Sequence, residues 1–304
     1  MGVRGIARWS NAPVEGVKLI TDSVLRQHQA RSTGVWRADL RTLKRHPYLT
    51  DGTSVGPERL LWEYISPPDH NLVIIEDATA PKRADFIANR AEIRAANMAK
   101  RNAGPGLPDA QLGLIEEPPE PLHYRNTLIS FKTSSMEAFI NQLGGAWTSQ
   151  PVKTISGPNL GRPSGGLTHR LKIEGHVFSV GSDWIVRVGS VYATGDQFKG
   201  VIMEIEYLPV DVLPYIEGSS AFLDAFTTSL LPSLPSEANF NSVVITDQEW
   251  AHVCGIDAPV AEVPAEDDIY AYGDEENAAA DPQKDDWRRS AYMIALALRG
   301  EGLM

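Results

Sequence analysis

Apolar positions recur with two different periods along this chain, and the switches between them mark its elements. From about Pro13 to Ala30, Val17, Ile20 and Val24 recur every three or four residues, and Pro13 suits a first helical turn, which predicts a helix. The period then drops to two. In GVWRADLRTLKR, Trp36, Ala38 and Leu40 fall on one face and Arg37, Asp39 and Arg41 on the other, the pattern of a half-buried strand. LLWEYIS and NLVIIED read as two further strands joined in a hairpin by PPDHN. Pro67 and Pro68 cannot feed a ladder, and Asp69 and Asn71 suit turns.

Residues 81–121 break this rhythm. PKRADFIANRAEIRAANMAKRN favours helix, but Phe86, Ile87, Ile93 and Met98 make only a thin apolar stripe. The glycine- and proline-rich tract after it completes what reads as a solvated insertion. Its basic residues (Lys82, Arg83, Arg90, Arg94, Lys100, Arg101) suit either a solvated face or an acidic partner. A strand resumes at TLISFKTS. A short helix follows, with Met136, Phe139, Ile140 and Leu143 on one face and Gly144 and Gly145 as its stop.

Beyond the loop GPNLGRPSGG comes a strand series: HRLKI, HVFSVG, DWIVRVGSVYA and GVIMEIEYLP. SSAFLDAFTTSLLPSL then opens on an N-cap serine as a helix. Trp287, Ala291, Ile294 and Leu298 line a final helix. At least six strands with interspersed helices predict an α+β fold, an antiparallel sheet curling into a barrel-like shape. The expected layout is one domain over 1–256 carrying the 81–121 insertion, an acidic linker over 257–286, and a helix over 287–304 docking back on the domain.

Charge sharpens this layout. The chain carries a net −11, yet residues 257–286 hold eleven carboxylates against Lys284 alone, so that stretch accounts for −10. Like charges repel there, and Pro259, Pro264 and Pro282 break regular structure. The near-neutral remainder has no field to draw in a phosphate backbone, so direct nucleic-acid binding is not expected. The opening MGVRGIARWS lacks the apolar run of a secretory signal, and no apolar run approaches a bilayer span. Cys254, the sole cysteine among 304 residues, excludes an internal disulfide and a cysteine-based zinc site.

Catalytic chemistry has one candidate. In MEIEY, Glu204 and Glu206 project from one face of a strand, and such pairs inside a barrel can hold a divalent metal over a triphosphate. Such a site needs several carboxylate pairs and a basic lining, and here Arg187 is the only evident companion. Glutamates on the wet side of a strand are also commonplace. The loop at 157–166 lacks the Lys-Ser/Thr of a phosphate cradle, and no zinc-protease or nucleophile-elbow motif occurs. His169 and His176 on adjacent short strands read as surface histidines rather than a ligand pair. DWIVRVGSVYA differs in kind. Trp184, Val186 and Val188 are apolar on one face, Ile185 and Val191 on the other, so the second face needs cover from a helix or a partner.

The order of these segments resembles one family, subunit 20 of the Mediator complex, also called TATA-binding-protein-related factor. MGVRGIARW, VWRADLRTLK, RLLWEYISPPDHNLVIIEDA, MEAFINQLGG and WRRSAYMIALALRG are similar to its pattern. HRLKIEGHVFSVGSDWIVRVGSVYATGDQFKGVIMEIEYLP is the most specific stretch. The 81–121 insertion and the 257–286 acidic stretch depart from it. The resemblance implies a barrel-like fold flanked by helices, no enzymatic activity and no cofactor. It further implies a nuclear adaptor of regulated RNA polymerase II transcription, paired with Mediator subunit 18 and tethered to the head module by subunit 8. Neither direct nucleic-acid nor membrane contact is expected. Ile185 and Val191 would then belong to the partner interface. A tunnel-type triphosphatase using Glu204 and Glu206 is the alternative.

Overall fold

The computed structural model describes residues 2–45, 57–66, 70–103, 113–131, 135–143, 147–149, 170–210, 220–231, 238–254 and 286–304. Alternating apolar residues there build ten strands: β1 (Val3–Trp9), β2 (Arg31–Arg45), β3 (Arg59–Ser66), β4 (His70–Asp77), β5 (Asn126–Phe131), β6 (Trp147–Ser149), β7 (Arg170–Val180), β8 (Trp184–Ala193), β9 (Gln197–Tyr207) and β10 (Phe240–Val243). Six helices accompany them: α1 (Gly16–Gln27), α2 (Arg83–Ala103), α3 (Met136–Leu143), α4 (Ala221–Leu230), α5 (Asp247–Cys254) and α6 (Asp286–Gly300). The fold is α+β with an antiparallel sheet, as the alternating pattern predicts.

Nine strands form one antiparallel path in the order β10-β1-β9-β8-β7-β2-β3-β4-β5, and β6 pairs with the far end of β2. The path does not close on itself: among the described residues β10 and β5 remain edge strands. It does curl. Ile6, Trp36, Leu40, Trp62, Leu72, Ile173, Val191 and Ile202, from seven different strands, share one core cluster with α6. Helix α5 follows β10 and touches β5, so it spans the open seam.

The opposite face is covered in two places. Helices α1 and α4 lie over β1, β9 and β8, where Ile20, Val24, Leu223 and Leu230 meet Val3, Trp9, Val186, Val188, Met203 and Ile205. Trp184 stacks on Phe226 with ring centroids 3.8 Å apart, fixing α4 to the β8–β9 end. Farther along, Met136 and Phe139 of α3 pack on Leu43, Leu61 and Val73. Val186 and Val188 thus serve one core while Val191, beyond an irregularity at Ser190, serves the other. The chain supplies cover for both faces of β8.

Three local expectations are corrected. HRLKI and HVFSVG, read as two strands, form the single strand β7 from Arg170 onward. Its middle passes opposite Gly189, and a Cβ on Gly175 would overlap the Val188 carbonyl, so this glycine serves close backbone approach rather than a turn. Ser220 does precede α4, but in a helical conformation and with no capping bond from its side chain. Strand β1 precedes the helix read as the first element, because Gly5 and Ala7 dilute its apolar face and Arg4 and Arg8 look like surface positions. The hairpin residues 67–69, Gly144, Gly145, the 157–166 loop, His169 and residues 257–285 lie outside the described residues.

Helix α2 stands exposed along most of its length, and the chain returning from Gly113 packs beside it. Glu117 accepts from Arg90 at 3.0 Å and from Arg94 at 2.9 Å, and Asn97 bonds both the N–H and the carbonyl of Ile115. Asp77 anchors the base of this arm. It is 2% exposed and accepts from Thr79 N at 3.0 Å, Thr79 Oγ1 at 2.6 Å, Arg59 at 3.0 Å and His123 at 3.0 Å. Burial alone would raise its pKa. The bonds from Thr79, His123 and Arg59 outweigh it and hold the carboxyl well below its usual 3.8. A depressed folded-state pKa contributes stability above the unfolded value that is lost as pH falls through the folded one. Wild-type stability should therefore decline below about pH 4, and Asp77→Asn should flatten that decline. Urea unfolding at pH 5 and pH 3 checks it: the gap between the two proteins should narrow at pH 3.

Candidate functional site

The strand period that buries Val201, Met203 and Ile205 under α1 and α4 turns Glu204 and Glu206 the other way, onto the concave face occupied by α6. Each is 3% exposed. Register places a basic residue directly across the ladder from each. Arg4 of β1 stands opposite Glu206 and Arg187 of β8 opposite Glu204. Arg187 Nη1 donates to Glu204 Oε1 at 2.8 Å and to Glu206 Oε2 at 3.3 Å. Arg4 donates to Glu206 Oε1 at 3.0 Å and lies 3.5 Å from Glu204 Oε1.

Helix α6 completes the group. Ser290 Oγ donates to Glu204 Oε1 at 2.9 Å and accepts from Arg4 Nη1 at 2.9 Å. Two carboxylates and two guanidiniums balance in charge, and charge-assisted bonds link them to one another and to Ser290. The pair read as a metal candidate is thus the anchor of the chain's own last helix. Among the described residues no three His, Cys, Asp or Glu side chains converge as a metal site requires.

Further polar contacts fix the same helix along its length. Arg289 donates to Asp247 of α5 at 2.7 Å and to the Ile245 carbonyl. Arg299 pairs with Glu76 at 2.7 Å and lies 4.6 Å over the Trp62 ring. Just past the helix, Glu301 meets Arg8 at 3.1 Å. Arg8 is 1% exposed and donates to the carbonyls of Val201 and Lys199. Gly200 lies between those two at φ 111°, where a Cβ would press on Arg8 and the Trp9 carbonyl. Burial lowers the Arg8 pKa and raises that of Glu301. Between these contacts Ala291, Met293, Ile294 and Leu298 are fully buried.

The two residues assigned to a partner interface separate. Val191 is 0% exposed inside the core shared with α6, whereas Ile185 is half-buried beside Ser179 and Glu206. His176 pairs in register with Val188 and meets Phe178 at 6.2 Å. Burial pushes the Cys254 thiol up to about 11, so little thiolate exists at neutral pH. Sequence reasoning missed Arg4, Arg8, Ser290 and Glu301. The available signal was the matching period of Arg4, Ile6, Arg8 with Ile202, Glu204, Glu206, but only strand register makes it a site.

Residues 166–251 match the family model described as TATA-binding related factor of subunit 20 of Mediator complex. Over this segment the chain is similar to the Mediator subunit 20 family. The segment runs from β7 into α5 and so includes Arg187, Glu204, Glu206 and Asp247, while Arg4 and Ser290 fall outside it. A curated relative, Mediator of RNA polymerase II transcription subunit 20 from Caenorhabditis briggsae, is 38% identical over 58 residues. That match covers 18% of this chain and 29% of the relative, well short of its full length. Among solved structures, the PH1819 protein from Pyrococcus horikoshii is 10% identical with a TM-score of 0.32, covering 76% of this chain and 88% of that one. A Mimivirus capping enzyme triphosphatase is 8% identical with a TM-score of 0.23, covering 75% and 89%. At those scores neither likeness informs fold or function. Among the described residues no helix is long and apolar enough to cross a membrane.

Proposed function

We propose that this chain is a non-catalytic adaptor subunit of Mediator, acting in the nucleus in regulated transcription by RNA polymerase II. The observation that carries the reading is the family match over 166–251, the segment that builds β7, β8 and β9. The use of Glu204 and Glu206 supports it: a triphosphatase would need these carboxylates to face metal and substrate, and here they face Arg4, Arg187 and Ser290. The proposed partners are Mediator subunit 18 as a heterodimer, and subunit 8 with the head module. Contact with the polymerase machinery is indirect, and neither nucleic acid nor membrane is bound.

Co-expression with its own subunit 18 and a sizing column tests the pairing. A one-to-one complex is expected. Elution of the chain alone at tens of micromolar, where even a ~1 μM complex persists, would sink the proposal. Within the complex, Ile185→Asp should weaken pairing if the half-buried end of β8 belongs to the interface. Val191→Asp reports something else. A charge at a fully buried core position should prevent folding, so insoluble protein, and not a loss of partner, is the expected result.

A further inference from the structure

A cleft of about 300 Å³ opens at the seam of the curled sheet, where α5 and α6 meet the start of α2 and of β5. Its floor is apolar, from Ile245, Val253, Tyr292 and Leu296, and its rim is cationic, from Lys82, Arg83 and Arg125. Glu249, the one carboxylate in its lining among the described residues, accepts from Thr246 N at 2.7 Å and Thr246 Oγ1 at 2.9 Å as it caps α5. His252, also in the lining, has a buried Nδ1 with no hydrogen-bond partner among the described residues. An apolar floor with a basic rim fits a short peptide that alternates aromatic or aliphatic side chains with carboxylates.

The chain carries such a sequence. Residues 266–276 read EDDIYAYGDEE, with Ile269, Tyr270 and Tyr272 set between six carboxylates. Its attachment is local. The segment leaves α5 after Cys254, adjacent to the cleft-lining Val253, and rejoins at α6, whose Arg288 and Arg289 lie beside Cys254. The chain between Cys254 and Glu266 can extend up to about 40 Å, ample for a cleft that begins at its own root. We infer that residues 266–276 seat in this cleft, Tyr270 or Tyr272 on the apolar floor and the flanking carboxylates on Lys82, Arg83 and Arg125. The inference does not depend on Mediator membership, and an extended seated peptide requires no regular structure in the acidic linker.

Tethering makes a weak contact sufficient. At an effective concentration of about 1 mM, an intrinsic Kd near ~100 μM keeps roughly nine-tenths of the segment seated and weakens an added competitor about tenfold. The test uses a fluorescein-labelled peptide with the 266–276 sequence, read by anisotropy against the full chain. It should bind the Ile269→Ser, Tyr270→Ser, Tyr272→Ser variant about tenfold more tightly than wild type. Adding Lys82→Glu and Arg125→Glu should then lose at least tenfold. If that combination fails to melt cooperatively, Lys82→Glu alone, at an exposed position, should lose about threefold. Equal binding to wild type and the triple-serine variant would overturn the inference and leave the cleft to an acidic peptide from another chain. No binding to the variant, or equal binding by a scrambled peptide of the same composition, overturns it as well.

Discussion

Glu204→Leu is expected to lower folding stability by about 3 kcal/mol, because removing one partner of a buried ion pair strands the other charges. Arg4, Arg187 and Glu206 would remain, with one positive charge unbalanced beside a helix of buried apolar residues. Two effects compete. The network's own net contribution is small, since desolvating four charges consumes most of what their attraction returns. Breaking it is expensive, since the desolvation remains while the attraction goes. The estimate sits at the low end of the range because the Arg4 and Arg187 side chains are 12% and 22% exposed, so water screens what is left. The same logic gives a second arm. Glu204→Leu combined with Arg187→Met removes one charge of each sign, leaves Arg4 on Glu206, and should recover most of the loss. Urea unfolding of wild type and the two variants decides it. A double variant as unstable as the single would mean that shape, not charge, sets the cost.

This network also shows where the sequence stops being readable. Trp36, Ala38 and Leu40 alternate so cleanly with charged neighbours that strand and buried face follow from the letters alone. The same holds for the Met136, Phe139, Ile140 and Leu143 face of α3 and the Ala291, Ile294, Leu298 spacing of α6. Period fails where the buried face is polar. Glu204 and Glu206 fall on the correct side of β9, but alternation is silent on whether that side meets water, a metal or a helix. Ser290 belongs with Glu204, 86 residues apart, only because α6 lies within the curl of the sheet. Arg8 is the extreme case. Nothing local marks an arginine for 1% exposure, and its partners Val201, Lys199 and Glu301 are set by pairing and by the chain's last turn. For β10 the obstacle is length, since four residues are too few for a period to rise above chance; α5 is as long as α3 but buries Trp250 alone, so it has no stripe to read.

Ending the chain after residue 285 should abolish cooperative folding rather than merely lower its midpoint. Helix α6 is not an accessory laid on a finished domain. Seven of its residues are buried members of the concave core, whose other buried members among the described residues are strand side chains, Ile245 and Trp250, with Val253 and Cys254 packed against them. Burying Tyr292, Met293, Ile294 and Leu298 contributes about 1.5–3 kcal/mol each, comparable in sum to the ~5–15 kcal/mol that holds a whole domain together. Without the helix, Glu204 and Arg4 also lose Ser290, Arg8 loses Glu301, and Trp62 loses the Arg299 guanidinium. The expected product keeps strand signal in the far ultraviolet, loses near-ultraviolet aromatic signal and melts without a sharp transition. A synthetic peptide of residues 286–304 should restore both signals, because the polar anchors specify one seat and one direction for it. Ser290→Ala together with Arg289→Ala in that peptide should restore them only at about tenfold or more higher concentration, since two charge-assisted contacts at roughly 1–3 kcal/mol each are removed. A truncated chain that melts cooperatively within a few degrees of the full one would show that the sheet closes its core unaided, and that α6 covers the fold rather than completing it.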